Sequence, residues 1–308
     1  MLQPTSRSGT WVSTDLLTSK RRTLSRSITI PVGDMTIAAS VARKSNQPAF
    51  LLLHGWPLSR ALYDGVVDVL SADFFVLAPD LPEIGDSRGK PSSADKSVLA
   101  DIVLRAAEKA GARGIIIAGL DVGGMIAFAA ARDFPTRISA AIVMNTVIPG
   151  IEPWSQILSD PRIWHFAFHA IPELPEILVQ AHQRRYFDFF TNVLSGDPKR
   201  IPENLRDDFA RAYTRREALT AGFDWYRAMA ADAAHNASYK RINTPLLYMR
   251  GDADGRSINS YLDGLRRAGV DNLEGRVVVG SGELLPVEAP QVFIDVVREF
   301  ALRGAHAG

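Results

Sequence analysis

The segment GIIIAGLDVGGMIAFAAA (114–131) constrains this chain more than any other. Residues 114–120 form an apolar run of strand length, and 125–131 are apolar densely enough for a buried helix. Between them stands one acid, Asp121, fenced by Gly119, Gly123 and Gly124. A buried strand that turns at once into a buried helix brings the two backbones close together. Glycines permit that approach, and the residue at the tip is forced into a strained conformation. An acid there faces the amides of a helix N-terminus, where positive partial charge gathers.

The same alternation of strand and helix runs along most of the chain. LSRSITI (24–30) and MTIAASVA (35–42), joined by PVGD, predict a β-hairpin. Further strands are predicted at 49–54, 74–80, 114–120, 139–145, 245–251 and 275–280. Several are continuous apolar runs, as expected of a parallel sheet covered on both faces. Helical patterns lie at 59–72, 96–110, 122–133, 257–268 and 289–303. The expected fold is therefore α/β, a mostly parallel eight-stranded sheet with helices on both faces. The gap from 149 to 240 has no strand pattern, is rich in aromatics and is punctuated by PELPE and GDPKRIPENL. It predicts an all-helical cap over the carboxyl ends of the strands, where such sheets bind ligands. The expected division is a polar extension (1–22), a first core part (23–148), the cap (149–240) and a second core part (241–308).

Composition narrows the function. The 308 residues carry a net charge of +1, which gives no reason to expect nucleic acid or an anionic membrane as partner. There is no cysteine, which excludes disulfides, thiolate catalysis and cysteine-held metals. No apolar run reaches transmembrane length, and the first 22 residues lack the apolar core of a signal peptide. The expectation is a cytoplasmic enzyme without metal or cofactor.

Other segments agree with the acid-tipped turn. LLLHGWPLSR (51–60) carries an HGxP motif, and APDLPEIGDSRG (78–89) reads as D-x-x-G-x-G-D-S with one glycine absent. PLLYMRGDAD (245–254) reads as a strand with an acid-bearing loop. WHFAFHAIPELPE (164–176) and GFDWYRAM (222–229) look like cap segments. Together, over about residues 23–303, these resemble the epoxide hydrolase branch of the α/β-hydrolase superfamily, related to Asp-nucleophile dehalogenases. The resemblance implies Asp121 as nucleophile, the amides of Trp56 and Val122 as oxyanion hole, and a cis Pro57. It also implies Asp254 as catalytic acid, with Asp252 as rival, and Tyr226 as the group that activates the epoxide oxygen. A carboxylate needs no neighbouring base to attack carbon, and it forms an ester with the enzyme. A phenol, with a pKa of about 10, suits protonation of the leaving alkoxide. In the family a His then activates water to hydrolyse the ester.

Here the chain departs from the family. GSGELLPVEAPQVF (280–293) places Glu283 where the family has that His. The six histidines are His54, His165, His169, His182, His235 and His306, and none falls near 283. The triad becomes Asp121, Asp254 and Glu283, and three close carboxyls imply that at least one holds a proton. Two readings of Glu283 stay open: a replacement base for water, or a structural partner of Arg250 or Arg256. If hydrolysis is impaired, the ester stalls, or the substrate closes a ring on itself. A third outcome is that Asp121 acts as a base with Tyr226 as acid, in a cyclase or isomerase of small-molecule biosynthesis. A catalytically silent ligand-binding protein is the alternative from another class.

Val122, Met125 and Trp56 stand where dehalogenases carry other residues, which argues against dehalogenation. Trp164 falls where many epoxide hydrolases carry a first cap tyrosine, and Tyr186 or Tyr213 offers a second donor. The substrate-binding candidates are Trp164, His165, Phe168, Tyr186 and Trp225, whose aromatic character suits an apolar or ringed small molecule. A homodimer through cap or helix faces is compatible with the sequence.

Overall fold

The computed structural model describes residues 25–42, 47–238 and 241–305. The proposed extension 1–22 and His306 lie outside the described residues. Eight strands form one sheet: β1 (Arg26–Val32), β2 (Met35–Ala42), β3 (Ala49–Leu53), β4 (Phe75–Pro79), β5 (Ile115–Leu120), β6 (Ile138–Met144), β7 (Leu246–Gly251) and β8 (Leu273–Val278). Their order is β1-β2-β4-β3-β5-β6-β7-β8. The hairpin β1–β2 joins antiparallel at one edge, through a turn in which Gly33 has φ +60°. All other neighbours are parallel.

Every residue of β3, β4 and β5 is buried, because helices cover both faces. Side chains alternate across the strands into two cores. Leu51, Leu53, Ile117 and Val143 pack with helices Lys96–Lys109 and Val122–Asp133. Phe50, Leu52, Ile116 and Ile142 pack with helices Asp64–Leu70 and Pro290–Ala305.

Between β6 and β7 the described residues from Trp154 to Ala237 form only helices and short helical turns. This insertion is pinned to the core by buried polar links. Lys96 Nζ meets Asp232 Oδ2 at 2.8 Å, and Tyr213 Oη donates to the Leu58 carbonyl at 3.0 Å. No described helix is long and apolar enough to cross a membrane.

Several boundaries differ from the sequence expectation, among them the first strand, which runs Arg26–Val32 rather than 24–30. The pattern at 59–72 is a tight turn, Arg60–Tyr63, running into helix Asp64–Leu70. The last strand spans Leu273–Val278 rather than 275–280. Its ladder ends where β7 ends, at the pair Gly251↔Val278. Val279 is 82% exposed, and Gly280, at φ +71°, turns the chain toward the site.

Candidate active site

Asp121 sits at φ 52°, ψ −122°, between β5 and helix Val122–Asp133. Few non-glycine residues adopt this region, and strain of this kind collects at functional sites. The glycines around it have a steric reason. A Cβ on Gly119 would lie 1.9 Å from the Gly123 carbonyl oxygen, and one on Gly123 would lie 2.4 Å from that of Leu53. Only bare backbone lets β3, β5 and the helix converge under Asp121.

The loop after β3 supplies the partner. The Trp56 amide donates to Asp121 Oδ2 at 2.8 Å, and the Val122 amide also bonds the carboxylate. The Trp56–Pro57 peptide is cis. His54, fully buried, bridges the loop: Nδ1 bonds the Gly55 carbonyl at 2.9 Å and Nε2 accepts from the Leu81 amide at 3.0 Å. Burial raises the pKa of Asp121, and the two amides and the charge of Lys96 hold the rise to about 6. The Asp121 carboxylate is thus held by two amides, with Oδ2 on that of Trp56.

Asp121 opens into a cavity of about 150 Å³ at the carboxyl ends of the strands. Its roof comes from the insertion. Tyr226 is buried, and its hydroxyl bonds no described residue. Burial, then the charge of Asp121, raises its pKa well above that of an ordinary phenol, so it stays a hydrogen-bond donor. His165 also lines the cavity, and burial lowers its pKa to about 4, so the ring is neutral at neutral pH. Its Nδ1 is closed off and unbonded, so the ring can address the cavity only through Nε2.

The opposite wall carries the other acids. Arg250 Nη2 grips Asp254 through both oxygens, at 2.7 and 2.6 Å, and its guanidinium lies 4.5 Å from the ring centre of Tyr261. Arg256 bonds Asp254 through its amide at 3.0 Å and Nη1 at 2.9 Å. Burial alone would raise Asp254, but these contacts hold its carboxyl below the usual range. Glu283 lines the same cavity. Burial first, then the charge of Asp121, pushes its pKa well above that of an ordinary glutamate.

A profile of the alpha/beta hydrolase fold matches residues 48–290. This chain belongs to the alpha/beta hydrolase fold family. It is similar to the soluble epoxide hydrolase of Corynebacterium sp. (strain C12), at 26% identity over 261 residues, covering 81% of this chain and 88% of that one. It is also similar to the pimeloyl-(acyl-carrier protein) methyl ester esterase of Vibrio campbellii (strain ATCC BAA-1116), at 35% identity over 214 residues, 68% of this chain and 77% of that one. The crystal structure of wild-type Cfl2 from Burkholderia cenocepacia matches with a TM-score of 0.82 at 26% identity, over 90% of this chain and 95% of that one. By name one of these relatives is an epoxide hydrolase and the other an esterase, both hydrolytic enzymes.

On this alpha/beta hydrolase scaffold the sequence-selected residues separate into two groups. Asp121, Trp56, Tyr226, His165, Asp254 and Glu283 line one cavity, and the Val122 amide bonds Asp121. Trp164, Phe168, Tyr186 and Trp225 lie off it. Trp164 is 43% exposed and lines an outer groove that also reaches Tyr226. Phe168 packs against Trp164 and Tyr186. Tyr186 gives its hydroxyl to the pairing with His169 Nε2 at 2.8 Å. Trp225 is buried, and its carbonyl accepts from Lys96 Nζ at 2.5 Å. Tyr213 is taken by Leu58, and Asp252 accepts from the Gly280 amide at 2.7 Å.

Three residues that sequence reasoning left aside hold the site together. Asn145, at φ 43° beyond β6, donates to the carbonyls of Gly282 and Glu283 at 2.9 and 2.7 Å and accepts from the Gly251 amide at 3.0 Å. Glu288 accepts the amides of Gly196, Gly282 and Leu284 at 2.7, 3.0 and 3.0 Å. Lys96 sets part of the charge balance of Asp121. Asn145 had a signal in the sequence, a polar residue closing the apolar run SAAIVMN.

Proposed function

We propose that this chain opens the ring of an apolar epoxide small enough for the cavity, with Asp121 attacking carbon to form an enzyme ester. One observation carries the reading: Asp121 is held at a strained turn, its Oδ2 on the Trp56 amide, in a cavity roofed by Tyr226, whose hydroxyl bonds no described residue. Those amides stabilise the carbonyl oxygen of the ester and later its tetrahedral adduct. Tyr226, joined by His165 Nε2, donates to the oxygen released from the ring. Ile157, Ile163, Phe166 and Phe190 supply the apolar walls for the rest of the substrate. The similarity to an epoxide hydrolase over 81% of the chain supports the same reading.

The test is intact mass and diol formation with a panel of small aryl and alkyl epoxides. Diol from the native protein, lost with Asp121→Asn, is the expected result. Diol formed at the native rate by Asp121→Asn would refute the reading. Conversion of the epoxide to an isomer or ring-closed product in place of diol would favour the cyclase alternative.

A further inference from the structure

Among the acids on the cavity, only Glu283 is left unanswered. Asp254 is neutralised by Arg250 and Arg256. Glu288, behind the cavity, is spent on three amides that flank Glu283 in the chain and across the insertion. Asp121 has two amides and the nearby charge of Lys96. The Glu283 carboxyl has no ion pair within 4.0 Å and no hydrogen bond among the described residues. Its backbone, by contrast, is fixed on both sides. The Glu283 amide donates to the Leu194 carbonyl at 2.8 Å, and the Glu283 carbonyl accepts from Asn145 at 2.7 Å. A carboxyl held in place but given no donors is poorly suited to carry charge beside a second carboxylate. The pair therefore keeps one proton, and it rests on Glu283, since Asp121 has the donors.

We propose that Asp121 and Glu283 act as a two-carboxyl unit sharing a single proton, with Glu283 alternating between acid and base in place of an imidazole. The proposal rests on the reading of Asp121 as nucleophile. Asp121 Oδ1 forms a bond to an epoxide carbon as the carbon–oxygen bond of the ring breaks. The released oxygen, held by the hydrogen bond from Tyr226, takes the proton of Glu283, which becomes a carboxylate. Glu283 then removes a proton from water, and the hydroxide adds to the ester carbon while the Trp56 and Val122 amides hold the oxyanion. Collapse expels the product oxygen, which takes the proton from Glu283. The new acid on Asp121 returns the shared proton to the pair. One epoxide and one water give one diol, and the enzyme ends with the proton it began with.

The groups that set the pH response are Arg250, Asp254, Glu288, Tyr226 and Tyr248 around Glu283, and Lys96, Tyr213 and Tyr226 around Asp121. The experiment compares the native protein with Glu283→Gln, using an aryl epoxide found to give diol, and reads diol, protein mass and single-turnover alkylation against pH. The native protein should turn over without a lasting adduct, and its alkylation should rise through about pH 6 and fall again at higher pH. Glu283→Gln, in which the released oxygen is left with Tyr226 as donor, should alkylate more slowly than the native protein near pH 6, arrest with the substrate on Asp121, cut diol formation at least a hundredfold, and lose the fall at higher pH. Glu283→Ala should regain at least tenfold of its lost diol rate with added formate, which a merely structural Glu283 would not allow. Native turnover in Glu283→Gln, or arrest of the native protein itself, would overturn the proposal. So would arrest by His165→Phe while Glu283→Gln turns over, since the base would then be the imidazole. Absence of any mass gain on Asp121 in every protein, with diol still formed, would instead remove the nucleophile reading.

Discussion

The turn after β5 and the loop after β8 each bring a carboxyl to the same cavity, and they are built in opposite ways. The turn is backbone. Asp121 is placed by a positive φ, by glycines that tolerate no Cβ, and by two amide donors. The loop is side chain. Glu283 is placed by Asn145 and Glu288 reaching in from neighbouring elements, and its surroundings are set by an arginine–aspartate pair. Backbone geometry has no exchangeable parts, so the Asp121 half of the site is fixed by the fold. The Glu283 half can be rebuilt one side chain at a time.

Substitutions can break this contrast, and the largest effect belongs on the backbone side. Asp121→Asn should cut diol formation by at least about a thousandfold, because Asp121 is the cavity carboxyl held at the strained turn against two amide donors. The same change should stabilise the fold. A carboxyl whose folded pKa is raised to about 6 contributes stability that is present below its unfolded value and lost as pH rises through 6. Thermal unfolding at pH 8 should therefore show Asp121→Asn more stable than the native protein by about 1–3 kcal/mol, and the difference should vanish near pH 4.

Lys96→Met should cost about 3–5 kcal/mol in denaturant titration, since it leaves Asp232 buried without its counter-charge. It should also move the acid limb of alkylation to higher pH, because Lys96 helps keep Asp121 ionised. Tyr226→Phe should slow epoxide opening by about a hundredfold with little change in unfolding midpoint, as its hydroxyl bonds no described residue. On the side-chain half, Glu288→Ala should cost about 1–3 kcal/mol by leaving three amides without their acceptor. It should lower diol release more than alkylation. Equal losses in both would mean that the two halves of the site are not separable.

The same contrast explains what could be read in the sequence. The order of strands and helices, and the turn around Asp121, were legible because they rest on runs and spacings within one segment. Trp56 and Val122 were legible because their amides are tied to motifs rather than to side-chain direction. The roof was legible only in part. Neighbours on a helix point about 100° apart, so Trp164 and His165, or Trp225 and Tyr226, need not both face the cavity. Aromatic content alone does not say which, and here His165 and Tyr226 do. The grip of Arg250 on Asp254, and the role of Glu288, join residues through loop geometry that no periodicity reports.

The most direct measurement is a single turnover in ¹⁸O-labelled water with enzyme in excess over epoxide, followed by mass analysis of the peptide carrying Asp121. An ester on Asp121 opened by water must leave the label on Asp121 and give an unlabelled first-turnover diol. Label in the diol, with none on Asp121, would mean that water attacks the epoxide directly and would contradict the account.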